Sequence, residues 1–276
     1  MRRFTNHGTI VPFICAVLMS VILQPCPAIA APQVASILLP APAGRASQLE
    51  LASVCSRARV PCDVGTTTAY VSANDPAGAM YLIDSTGPKL IRVGADRRTG
   101  RTSSETWDFG NYRHSFAAPS SEPLSIYPAL YFSAGKTAAA LISEVHEGYS
   151  GGGGAFSVAD FVVLSSGDGA ANGEWSPLYS GVPFACGKTV RACFSEREYA
   201  KSPHCHQELE GTLSVSSANV SDGTWRFTWK EVDWPAGVTA AHKRTTRRSF
   251  GLPTSRAAAS PARLPAEVNF CGGPTG

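Results

Sequence analysis

Charge is scarce in this 276-residue chain: Asp, Glu, Lys and Arg together make 16% of it. Long apolar runs are scarcer. One stretch, residues 10–23, is continuously rich in apolar side chains, and it falls short of the roughly 20 residues a membrane-spanning helix needs. Nothing later in the chain approaches that length, so no membrane span is expected. No Cys-x-x-Cys pair occurs, which removes the commonest structural-zinc and dithiol signatures. No helical period alternates with the strand-like segments, which argues against a parallel α/β sheet. Nor is there an excess of one sign: 24 basic side chains face 21 acidic ones. That near-balance excludes the basic footprint of a nucleic-acid binder.

The first thirty residues carry Arg2 and Arg3, the apolar stretch and a small-x-small Ala28-Ile29-Ala30, in the order of a secretory signal peptide. Its removal leaves 246 residues with 22 basic against 21 acidic groups. Residues 31–47 are Ala/Pro-rich and read as a flexible lead-in. Residues 48–276 read as one β-rich domain with a loose segment from about 236. The expected location is secreted or periplasmic. Cys15 and Cys26 lie in the signal, and Cys55, Cys62, Cys186, Cys193, Cys205 and Cys271 remain. An even number in an exported chain implies disulfides. Equal seven-residue spacings favour Cys55–Cys62 and Cys186–Cys193, which leaves Cys205 for Cys271.

Strand signals dominate the domain after one short helix at 48–59. Residues 67–72, 80–83 and 89–93 are β-branched or apolar, with Asp84-Ser-Thr-Gly-Pro88 as a hairpin turn between the last two. Further strands are expected at 107–112, 175–180 and 190–194, with a polar loop at 97–104. The centre is a three-stranded meander over 129–164, interrupted by a Ser133-Ala-Gly-Lys136 turn and a Gly-rich loop at 148–154. A last hairpin pairs 211–216 with 224–230, where Trp225, Phe227 and Trp229 alternate with polar residues and form a buried face. These features predict an all-β, disulfide-stapled fold of antiparallel meanders and hairpins, forming a sandwich, a barrel or a small propeller, with little helix.

Several local patterns resemble sites. Gly148-Tyr149-Ser150-Gly151-Gly152 has the spacing of a hydrolase nucleophile elbow, with Asp222 or Asp233 and then His242 in chain order. The elbow, however, needs a helix after the serine, and here two more glycines and a strand follow. Gly135-Lys136-Thr137 and Gly187-Lys188-Thr189 lack the upstream glycine spacing of a phosphate loop. His204, His206, Glu208 and Glu210 would share one face of a strand but lack a further ligand, and they read as a polar strand start beside a bridged Cys205. Asp168 to Glu174 keeps only part of a calcium-loop pattern and reads as a turn. His242, Lys243, Arg244, Arg247 and Arg248 form the one basic run, read as a solvated loop.

No catalytic constellation, metal site or cofactor is expected. By elimination the chain reads as a non-catalytic binding protein for a protein or other macromolecule, such as an inhibitor or protective partner of an exported enzyme. Tyr149, Ser150, Gly151 and Gly152 form the candidate contact loop, because loops on rigid β scaffolds carry function. The alternatives are a secreted serine hydrolase using Ser150 and a structural envelope protein.

Overall fold

The computed structural model describes residues 35–40, 45–72, 78–95, 101–116, 123–133, 135–165, 175, 177–219, 224–251 and 268–273. The expected signal peptide, the 168–174 turn and Asp222 lie outside the described residues. Among the latter the strands are β1 (Ala35–Pro40), β2 (Thr67–Ser72), β3 (Met80–Asp84), β4 (Lys89–Ala95), β5 (Thr102–Asp108), β6 (Ser125–Ser133), β7 (Lys136–Tyr149), β8 (Gly152–Val163), β9 (Pro177–Arg191), β10 (His206–Asn219), β11 (Thr224–Trp234) and β12 (Arg244–Phe250). Two helices, α1 (Arg45–Ala58) and α2 (Glu196–Lys201), interrupt them.

All pairings are antiparallel, in the order β12-β11-β10-β9-β8-β7-β6-β1-β2-β3-β4-β5. β1 joins two meanders: its first half pairs with β6 and its second half with β2. The result is two sheets, not closed into a barrel, with a sandwich-like arrangement. The expected all-β class is therefore found.

β7 shows why the sheets stack. Ala138, Ala139, Ala140, Leu141 and Ile142 are all buried, so this run has no solvent face. Ala139 and Leu141 pack with Tyr81, Ile83, Leu90, Trp107 and Val162 between the two sheets. Ala138, Ala140 and Ile142 face the other way, into a cluster with Phe161, Tyr179, Trp225, Phe227 and Trp229. Small alanines at the centre let both layers approach closely. The long sheet curls enough for the Trp225 indole to donate to the Phe132 carbonyl across it, at 2.8 Å. A third cluster buries Leu51 and Cys55 of α1 against Leu82, Ile91 and Val93.

Three expectations are corrected. The pairs are Cys55–Cys62, Cys186–Cys271 and Cys193–Cys205, so only the first expected bridge is present. Cys55 and Cys62 span a helix end and a turn, which brings their Cα atoms to 6.2 Å. Cys186 and Cys193 have the same spacing, but the chain between them stays extended to Arg191, about 16 Å at strand rise. A disulfide tolerates roughly 7 Å between Cα atoms. Second, the Gly-rich loop is mostly ladder. Glu147, Gly148 and Tyr149 pair with Gly154, Gly153 and Gly152, leaving a two-residue turn at Ser150-Gly151. A Cβ at Gly152 would collide with the Thr189 carbonyl oxygen of β9, so this glycine serves close strand approach. Third, the described part of the segment expected to be loose from about 236 forms a 3₁₀ turn, Ala240–His242, and β12, whose Phe250 stacks on Phe227; residues 252–267 lie outside the described residues.

Candidate functional site

The largest concentration of hydrogen-bonding chemistry is hidden. Asp160, in the middle of β8, is fully buried. Its carboxylate accepts from the Tyr112 hydroxyl (2.8 Å), the Ser115 amide (2.8 Å), the Ser115 hydroxyl (2.5 Å) and the Gly181 amide (2.7 Å). His114 Nε2 lies 3.8 Å away. Asp, His, Ser and Tyr together invite a catalytic reading, but the connections oppose it. The serine is bonded to the aspartate, not to the histidine. His114 Nδ1 lies against the Phe116 amide and Nε2 faces the Leu141 carbonyl, so both ring nitrogens are engaged. Burial and the Asp160 charge push the Tyr112 phenol far above its ordinary range. This constellation is a buried anchor for residues 109–116. Gly181 turns its amide into the anchor where β9 slips register against β8. Sequence reading missed it because its parts are 45 residues apart. The signal was a single acid inside the apolar run Ala155-Phe-Ser-Val-Ala-Asp-Phe-Val-Val163.

Exposed side chains are concentrated elsewhere, at one end of the long sheet. The β7–β8 turn, the β9–β10 connection and the β11–β12 connection all emerge there. Of six exposed large hydrophobic residues among those described, three sit at this end: Phe194, Tyr199 and Tyr149, with Phe194 at 68% the most exposed. The Arg191 guanidinium lies over both Phe194 (5.4 Å) and Tyr199 (5.6 Å), and the Arg191 amide donates to the Gly151 carbonyl. Arg191 thus ties the Tyr149-Ser150-Gly151-Gly152 turn to the next connection.

That connection is rigid by construction. Cys193–Cys205 closes it. Ser195 caps α2, and the Glu198 carboxylate reaches back to the amides of Phe194 (2.7 Å) and Ser195 (3.0 Å), a reciprocal capping box. Those bonds, the Phe194 amide first, hold the Glu198 carboxyl below its ordinary value. The third connection is clamped to the second: the His204 ring stacks on Trp234 at 3.6 Å, the Gly237 amide donates to the His204 carbonyl at 2.7 Å, and Lys243 Nζ sits 4.2 Å from the Trp234 ring centre.

A polar cleft of about 450 Å³ opens beside this end. Lys188, Gln207, Glu231, Asp233, Arg244 and Asn269 line it. Its floor is the buried Glu231 carboxylate, which accepts from the Trp229 indole (3.1 Å), Asn269 Nδ2 (3.0 Å) and the Cys271 amide (3.1 Å). Phe270 packs on Trp229 and Phe156. Glu231 and the Cys186–Cys271 bridge therefore seat residues 268–273 on the sheet. Cys186, Glu231 and Cys271 form a close group of potential metal ligands, but the two sulfurs are bonded to each other.

The other sequence candidates disperse. Ser150 sits in a strand-to-strand turn, with no helix after it. His242 bonds Thr239 Oγ1, and Asp233 accepts from Gln207. Gly135-Lys136-Thr137 begins β7, and Gly187-Lys188-Thr189 lies within β9. His206, Glu208 and Glu210 share a face of β10, while His204 is committed to Trp234. Trp225, Phe227 and Trp229 are core. Arg191, Phe194 and Tyr199 were not singled out from sequence; the available hint was aromatic residues beside Cys193.

Among the described residues no helix is long and apolar enough to cross a membrane, and three disulfides fit an oxidising, extracellular or periplasmic setting. Comparison with known proteins finds no match: no family model fits the chain, and no curated protein or solved structure is significantly similar to it.

Proposed function

We propose that the chain is an exported, non-catalytic binding protein that engages a partner protein through its loop end. The observation that carries this reading is the exposed Phe194–Arg191–Tyr199 cluster, set on a disulfide-closed, capped connection beside Tyr149. Arginine and tyrosine are enriched at the few interface positions that dominate affinity, and a pre-ordered loop loses little entropy on binding. A cluster of this kind has no role in the protein's own core, because its rings face solvent. Ser150 lacks the strand-to-helix elbow, and Ser115 is bonded to the buried Asp160 and not to a histidine, which supports binding over hydrolysis. An inhibitor or protective partner of an exported enzyme is the role such a rigid protrusion suits.

The test places a photo-crosslinking residue at Tyr199 in the full chain and exposes it to the exported proteins of its host. A discrete adduct that disappears in Phe194→Ala supports the reading. The absence of any Phe194-dependent adduct, together with fluorophosphonate labelling lost in Ser150→Ala, would replace it with the hydrolase.

A further inference from the structure

The two edges of the strand array differ in how they treat charge. On β5, at one edge, Glu105 and Asp108 are neutralised within the chain by Arg92 (3.6 Å) and Lys89 (3.3 Å) of β4. The Ser104 hydroxyl on the same strand donates to the Ala58 carbonyl at the end of α1. On β12, at the other edge, Arg244, Arg247 and Arg248 are exposed, as are Lys243 before it and Arg226 and Lys230 on β11. Among the described residues none of these six cations has an acidic partner within 4 Å. Lys230 and Arg247 stand directly opposite each other in the ladder, a like-charged pair that weakens a sheet. Two acids lie on β11: Glu231 is taken by three donors, and Asp233, which stands opposite Arg244 in the ladder, accepts from Gln207. Glu208 and Glu210 lie on β10, two strands inward.

The backbone of β12 is equally open. It pairs with β11 over seven residues without a register shift. No proline interrupts it, and among the described residues no hydrogen bond leaves its outer side. Charge is a common way to blunt an edge against self-pairing, usually alongside a bulge, a proline or a cover. Among the described residues charge is the only such device on β12. It repels a second copy of β12 while leaving the main-chain groups accessible to a chain of opposite charge.

We propose that β12 is a docking edge that accepts an extended acidic segment of another protein as an added strand. Main-chain bonds to alternate residues of Arg244–Phe250 would hold it, while Arg247 with Lys230 on one face, and Arg244 with Arg248 on the other, would pair with its carboxylates. This site is distinct from the Phe194 cluster and does not depend on it.

The probe is a blocked, fluorescently labelled nine-residue peptide of three Glu-Glu-Thr repeats, which puts carboxylates on both faces of a strand, titrated against the full chain by anisotropy. Saturable binding is expected, and it weakens at least tenfold in the Arg247→Glu/Arg248→Glu double variant. It also weakens at least tenfold when alternate peptide amides are N-methylated, because methylation removes strand pairing but keeps the charge. Lys89→Glu together with Arg92→Glu, an equal charge change on β4 beside the β5 edge, leaves it unchanged. A thermal melt of both double variants checks that the fold persists. Equal binding of the methylated peptide would reduce the edge to an unspecific cationic patch. Absent binding, an equal loss in the Lys89→Glu/Arg92→Glu variant, or tighter capture by phosphatidylglycerol vesicles than by the peptide would each overturn the proposal.

Discussion

Asp160 and Arg191 both lie on long neighbouring strands, and each gathers a cluster around itself, yet the two clusters are built in opposite ways. Around Asp160 the carboxylate is fully buried and each of its four donors is turned inward to it, although Ser115 itself stands at the surface. Around Arg191 the rings of Phe194 and Tyr199 are ordered by the chain but left facing out. A buried carboxylate with four donors holds a segment in place. Exposed aromatic rings over a guanidinium, braced by a disulfide, offer a surface to something else. The residue types that look catalytic are thus the structural ones, and the residues that look like packing are the accessible ones.

The contrast is broken most severely from the inside. Asp160→Ala leaves the Tyr112 hydroxyl and the amides of Ser115 and Gly181 without an acceptor. A buried neutral donor left unsatisfied costs about 1–3 kcal/mol, and three are stranded together, to be read as a drop in the urea midpoint at unchanged slope. A Cys193→Ser/Cys205→Ser double variant acts on the other cluster. Its twelve-residue separation corresponds to about 3 kcal/mol in the loop-entropy picture, and partner capture should fall with the melting temperature. Phe194→Ala separates the two effects. Stability stays within about 0.5 kcal/mol, while affinity for the partner falls by about 2 kcal/mol, a hot-spot magnitude.

Acid sharpens the comparison further. The folded-state value of Glu198 lies below its ordinary value of 4.5, so its stabilising effect is complete above that pH and fades as pH falls through the folded value. Capture should weaken over this acidic window, and Glu198→Gln, which keeps a capping side chain, should flatten that dependence. The smallest effect is expected for Tyr149→Ala. Its hydroxyl bonds the Thr189 carbonyl at 3.3 Å, and its loss should lower affinity a few-fold without a measurable change in melting.

The sequence made the strands legible where apolar residues alternate and turn residues intervene. β2 runs over the expected 67–72, and β3 and β4 follow the predicted hairpin. α1 was expected at 48–59 and spans Arg45–Ala58. β9 was divided into two short strands because Gly181, Pro183 and Gly187 read as breaks. The proline is tolerated because it sits at a register shift, where Val158 faces Pro183 and Ser157 faces Ala185. β12 was missed because six exposed residues in a row carry no hydrophobic period. The contact turn at Tyr149-Ser150-Gly151-Gly152 was visible as a loop. Its companions Arg191, Phe194 and Tyr199 were not, since only the strand pairing of β8 with β9 and the Cys193–Cys205 bridge bring them beside it.

The most direct measurement compares wild type and Phe194→Ala side by side, by photo-crosslinking from position 199 and by thermal melting. The account predicts that the variant loses the partner adduct and melts with the wild type. A variant that keeps the adduct, or that unfolds where the wild type does not, would show that the aromatic cluster belongs to the protein's own packing and not to a binding surface.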